Sequence, residues 1–98
     1  MVWKLTLYVA GRDARSTRTE STLRRLCEEH FGERHELEVV DVTRDPERAE
    51  SENILITPTV IRRCPEPSRR VVGDLSDTKA VLYGLDLHHQ TREGGSGK

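Results

Sequence analysis

The stretch Ile56-Thr57-Pro58-Thr59-Val60-Ile61 and, beyond the turn Cys64-Pro65-Glu66-Pro67, the stretch Val71-Val72-Gly73-Asp74-Leu75-Ser76-Asp77 decide how this chain is read. Proline has no N–H to give to a β-ladder, so within a sheet it belongs at a strand's first residue, an edge or a bulge. Thr57-Pro58 at the head of a β-branched run therefore marks the start of a strand. Cis is readily accessible only to an X-Pro bond, and even there in about 5–6% of cases. Val71-Val72 reads as a second short strand. Ser76 has N-cap chemistry for a helix beyond it, with Leu75 placed to staple onto Ala80.

Towards the N-terminus, Trp3, Leu5, Leu7 and Val9 alternate with Lys4, Thr6 and Tyr8, the period of a strand with one well-buried face, and Gly11 ends it. Thr17 and Glu20 have capping-box spacing. Leu23, Leu26, Cys27 and Phe31 then fall at helical intervals up to Gly32, a natural C-terminal stop. Leu37, Val39, Val40 and Val42 form a second strand, and this crossover length predicts parallel pairing through a right-handed connection. Asp45-Pro46 supplies N-cap and N1 chemistry for a short helix from Glu47 to about Asn53. The predicted order is βαβαββα.

The last segment fits two periods. Val81, Leu82 and Leu85 make a helical stripe, whereas Val81, Tyr83, Leu85 and Leu87 alternate as a strand would. Gly84 weakens both, costing a helix about 1 kcal/mol relative to alanine and leaving a strand interior without a side chain. A segment that satisfies two periods permits two packings separated by a few kcal/mol. On propensity alone, Gly84→Ala favours the helical form.

Composition narrows the function. The chain has 98 residues, 34% of them hydrophobic, enough for one modest core. One domain over residues 1–90 is expected, with the Gly/Ser-rich 91–98 as a flexible tail or linker remnant. With 16 basic and 17 acidic residues the net charge is −1, so no bulk field draws in nucleic acid or an anionic membrane. No signal-peptide h-region and no span of ~20 apolar residues is present, and a cytoplasmic protein is expected. Cys27 and Cys64 do not form a Cys-x-x-Cys pair and read as reduced thiols. His88 and His89 are adjacent and diverge, and His30 and His35 lack a second ligand at familiar spacing, so no metal is expected. Gly11 is followed by charged residues, with no phosphate-binding glycine loop. Arg62-Arg63 and Arg69-Arg70 flank the proline turn as the legs of a hairpin, either as a basic knob for an acidic partner or RNA or, with no aromatic stacking residues nearby, as solvated edge residues that discourage aggregation.

Together with Leu7-Tyr8-Val9-Ala10-Gly11 and Gly84-Leu85-Asp86-Leu87, the two opening stretches resemble the KaiB family of clock proteins over about Leu5 to Leu87. The resemblance implies an α/β, thioredoxin-like βαβαββα fold with Pro58 cis. It also implies an equilibrium with a rearranged βαββααβ form that self-associates as dimers or tetramers, while the thioredoxin-like form is a monomer. The implied role is that of a non-enzymatic adaptor without cofactors that docks on a KaiC-type ring ATPase. The alternative is a sensor module that docks on a histidine kinase without a clock.

Carried over by position, the ring-docking surface comprises Glu47, Arg48, Ala49, Glu50, Ser51, Glu52 and Asn53, where Pro46, Ala49 and Glu50 match the clock-type pattern and Asn53 replaces a lysine. Glu38 stands at a second-partner edge where cyanobacterial members carry a lysine and engage KaiA, and the reversed charge puts that recruitment in doubt. Trp3, Gly84 and Asp86 correspond to positions that bias the two folds. A thioredoxin places its reactive cysteine at the N-terminus of the first helix. Here that junction reads Gly11-Arg12-Asp13-Ala14-Arg15-Ser16, which holds no sulfur to activate, so redox catalysis is not expected.

Overall fold

A computed structural model describes residues 2–73 and 75–86. Strand β1 (Trp3–Val9) is the one on which the rest assembles. It pairs in parallel with β2 (His35–Asp41) and antiparallel with β3 (Thr59–Cys64), and β4 (Arg69–Val72) extends β3 as a hairpin. The sheet order is β2-β1-β3-β4. Leu5 and Leu7 sit opposite Leu37 and Val39 of β2, and Leu7 sits opposite Val60 of β3. Helices α1 (Ala14–Phe31), α2 (Pro46–Ser51) and α3 (Thr78–Gly84) complete the expected βαβαββα order. The Thr57–Pro58 bond is cis, as expected, and Pro58 O accepts the Gly73 N–H at 2.9 Å, tying the head of β3 to the end of β4.

The alternation in β1 predicts one buried face, but from Leu5 to Val9 both are buried, because each side of the sheet carries its own packed cluster. On one side Trp3, Leu5, Leu7 and Val9 join Leu23, Leu26, Cys27 and Phe31 of α1, Val60 of β3, and Leu75, Val81 and Leu85 around α3. On the other side Tyr8 packs with Val40 and Ile61, with Val42 and Ile54 against them, and Thr6 is 2% exposed.

Local chemistry moves several boundaries. Helix α1 begins ahead of the Thr17–Glu20 pair because Asp13 is the cap: its Oδ1 accepts the Ser16 N–H at 2.9 Å, and its carbonyl accepts the Thr17 N–H at 3.0 Å. Glu20 instead receives Arg12 and Arg24. Gly32 closes the helix at φ 61°, donating to Glu28 O as a C-terminal stop should. Asp45 caps α2 with Pro46 in its first turn, as read, but the helix stops at Ser51, and Asn53 lies in the left-handed region at φ 56°. Asp77, and not Ser76, caps α3 through the Ala80 N–H at 3.2 Å. Leu75 goes into the core while Ala80 is exposed, so the expected staple is absent. Among the described residues, no helix is long and apolar enough to cross a membrane.

In the last segment the helical period prevails: Val81 and Leu85 are buried and Tyr83 is 70% exposed. Leu87, His88, His89 and the 91–98 tail lie outside the described residues. The propensity argument for Gly84→Ala needs correction, because a Cβ at Gly84 would overlap the Val71 Cγ2 methyl of β4. The gain of about 1 kcal/mol from replacing glycine is opposed by overpacking of typically 1–3 kcal/mol. In a double-mutant cycle followed by urea unfolding, Gly84→Ala is expected to stabilise the Val71→Ala background by up to about 1 kcal/mol. It should lose that gain when Val71 is present, giving a coupling of at least about 1 kcal/mol.

Candidate partner-docking site

Helix α2 is too short to hold itself in place, and its position comes from charge. Arg48 sends two parallel hydrogen bonds to Glu38 of β2, Nη1 to Oε2 at 2.8 Å and Nη2 to Oε1 at 3.0 Å. At the other end, Arg63 of β3 donates through Nε to Thr6 Oγ1 at 2.8 Å and through Nη2 to Tyr8 Oη at 2.9 Å. It also reaches Glu52 Oε1 at 3.5 Å. Arg70 of β4 donates to the Glu52 carbonyl at 3.1 Å. The helix is thus tied to β2 from its middle and to β3 and β4 at its C-cap. Arg48 holds the Glu38 carboxyl below its usual range, and Glu38 raises Arg48 in turn.

The expected docking residues divide by direction. Glu47, Glu50, Ser51 and Asn53 are exposed, whereas Ala49 is 8% exposed and supports the helix from beneath, and Arg48 and Glu52 are turned to the clamps. Glu38 is brought against α2 through Arg48, so the edge position and the helix form one unit. Leu55 and Ile56, within the apolar run Ile54-Leu55-Ile56 that follows α2, are 90% and 55% exposed. Their apolar run gave no sign of this, since exposure depends on Asn53 turning the chain and on Ile54 taking the buried place.

The reading of the arginine pairs as wholly solvated also needs correction. Arg69 and Arg70 are exposed, but Arg62 is 3% exposed and Arg63 is half-buried in the network above. Arg62 Nη2 donates to Pro67 O at 2.6 Å, and its guanidinium carbon lies 5.6 Å from the centre of the Trp3 ring, which stacks on Phe31 at 4.3 Å. Burial lowers the Arg62 pKa, with the Asp86 charge working against the shift. Trp3 and Asp86 therefore both act on Arg62, while Gly84 abuts Val71 of β4. Period-2 alternation from Val60 placed Arg62 on the core side and was the available signal.

At the C-terminal end of β1, a cleft of about 190 Å³ is lined by Val9, Ala10, Asp13, Arg15, Ser16, Thr19, Thr57 and Pro58. Its polar chemistry is that of a helix cap, and the hydrogen bond from Ser16 holds the Asp13 carboxyl below its usual range. Cys27 is fully buried in α1, and burial pushes its thiol up to about 11, far from a thiolate at neutral pH. Among the described residues, no cluster of three or more His, Cys, Asp or Glu is arranged to hold a metal ion.

Two outcomes are expected. At pH 8 a thiol reagent should modify Cys64 in the native protein and Cys27 only after unfolding; equal native rates at both would contradict the buried, protonated Cys27. Glu38 has a lowered folded pKa, so its contribution is present above its ordinary value of 4.5 and is lost as pH falls through the lower folded value. The wild type should therefore melt slightly above Glu38→Gln at pH 7, by no more than about 1 kcal/mol in stability for so exposed a pair, and the difference should shrink as the pH is taken below 4.5 and vanish once Glu38 is protonated in the folded state.

The KaiB domain family matches residues 6–87 of the chain. The circadian clock protein KaiB3 of Synechocystis is 42% identical over 83 residues, covering 85% of this chain and 81% of that protein. The circadian clock oscillator protein KaiB of Prochlorococcus marinus is 48% identical over 83 residues, with coverage of 85% and 79%. Among solved structures, the N-terminal domain of Synechococcus elongatus SasA superposes with a TM-score of 0.75 at 20% identity, covering 95% of this chain and 86% of that one. Chloroplastic thioredoxin z does so at 0.67 and 18%, covering 89% and 79%. These two likenesses establish a thioredoxin-like fold. The sequence relatives and the domain match establish the family: the chain belongs to the KaiB family.

Proposed function

We propose that the protein is a non-enzymatic adaptor of a circadian-clock type that docks on a KaiC-type ring ATPase through the outward face of α2. The observation that carries this reading is the clamped helix: Arg48 of α2 is tied to β2, the C-cap residue Glu52 is tied to β3 and β4, and Glu47, Glu50, Ser51 and Asn53 are left facing out. A helix held rigidly loses little conformational freedom when it docks. In this reading the thioredoxin-like monomer is the binding form, and the rearranged βαββααβ form is a self-associated reserve. The helical stripe and the alternation in 81–87 supply the sequence basis for that exchange. When only a fraction of molecules is competent, the apparent affinity falls by that fraction.

The relatives bear clock names, and the cleft at Pro58 offers a helix cap in place of a thiol, which supports a binding role over a catalytic one. A second reading is a sensor module that docks on a histidine kinase. It is favoured by the Glu38–Arg48 pair, which engages Glu38 at the second-partner edge and leaves KaiA recruitment doubtful.

The test is co-migration with a KaiC-type ring ATPase on size exclusion in the presence of nucleotide, sampled over a long incubation. A complex that appears slowly is expected, together with no insulin reduction by the protein in a thiol-oxidoreductase assay. No complex at any time transfers the assignment to the kinase-docking reading, and measurable insulin reduction removes the non-enzymatic one.

A further inference from the structure

The charges on α2 and its C-cap fall into two sets. Arg48 and Glu52 are taken up by the fold, through Glu38 and Arg63 respectively. Glu47 and Glu50 are exposed, and among the described residues neither has a cation paired with it. Beyond the helix, Ile54 packs against the Tyr8, Val40 and Ile61 cluster, and Leu55 and Ile56 are left 90% and 55% exposed. A shallow depression lined by Pro46, Ala49, Glu50, Asn53, Ile54 and Leu55 joins the helix to this strip. Two large apolar side chains thus stand beside two uncompensated carboxylates on a surface whose cations are already engaged.

Resting on the ring-docking reading, we propose that this face meets a partner surface consisting of an apolar hollow flanked by Lys or Arg. Glu47 and Glu50 steer the encounter, and Leu55 and Ile56 hold the complex. Charge complementarity selects this occupant, because an acidic rim is repelled by both carboxylates while a basic one gains from both. Adjacent exposed apolar side chains of this size are the type that becomes an anchor when water is excluded around them. A second copy of this chain fits poorly, since a two-fold contact through the same face sets four carboxylates against one another.

The experiment measures association and dissociation with a KaiC-type ring ATPase plus nucleotide, in the range where the rate rises linearly with ring concentration. The proteins are the wild type, Glu50→Gln, the double variant Glu47→Lys/Glu50→Lys, and Leu55→Ser. The double variant is expected to associate about tenfold more slowly at about 50 mM salt, with the deficit shrinking at about 500 mM. Glu50→Gln, which keeps the size of the side chain, should show a smaller change in the same direction. Leu55→Ser is expected to dissociate about tenfold faster at a near-normal association rate. Matching melting curves keep folding out of the comparison.

Association of both charge variants at the wild-type rate overturns the basic-rim assignment while ring docking stands. Unchanged dissociation of Leu55→Ser overturns the apolar anchor. A concentration-dependent dimer lost in Leu55→Ser, with ring binding unaffected, assigns the face to a second copy and overturns the proposal. If the wild type forms no complex, the docking reading and this inference fall together.

Discussion

Burial of β1 on both faces sets the terms for everything attached to it. A strand whose two faces are both covered needs a partner layer on each side, and the two layers here are unlike. Trp3, Leu5, Leu7 and Val9 meet the apolar stripe of α1 and the residues around α3, a conventional apolar core. Thr6 and Tyr8 turn hydroxyls to the other side, where an unpaired buried polar group would cost roughly 1–3 kcal/mol. Arg63 satisfies both. The second face is therefore built from a small apolar cluster surrounded by arginine contacts.

That second face explains how six residues of α2 come to be ordered. Isolated helices shorter than about 12–15 residues are marginal in water, and α2 buries only Ala49 along its length. Its cap at Asp45, the paired bonds from Arg48 to Glu38 and the contacts of Arg63 and Arg70 with Glu52 replace the missing apolar area. Each exposed pair is worth little alone. Placed at the middle and the C-cap of a short rod, they fix its direction, and so determine which side chains of the helix face outward.

The fold is shared with thioredoxins, but the residues at the first helix differ from a thioredoxin's. Where such folds activate a cysteine, the N-terminus of α1 carries Asp13 and Ser16 engaged with each other, and the thiol of Cys27 is placed where burial keeps it protonated. The far end of the sheet carries Arg62 within the core layer beside Trp3, held by a carbonyl of the proline turn. A buried guanidinium of this kind ties the hairpin to β1, and the Asp86 charge offsets part of its cost of burial.

Period and turn chemistry were enough for the element order, for the head of β3 at Pro58, for the end of α1 at Gly32 and for the start of α2 at Asp45-Pro46, because these depend on residues adjacent in the chain. Asp13 and Asp77 as caps were missed in favour of Thr17 and Ser76, since several nearby side chains could cap and packing selected among them. The candidate helix was legible as a segment, but which of its residues face out was not. The sequence by itself determined the set of elements and the absence of a thiol at the N-terminal junction of the first helix, both local properties. Only the tertiary structure decided that β1 is central, that Glu38 and Arg48 form one unit, that Arg62 is buried, that Leu55 and Ile56 are exposed and that Gly84 abuts Val71. Each of those joins residues brought together by the crossovers, and a one-dimensional pattern holds no distance between them.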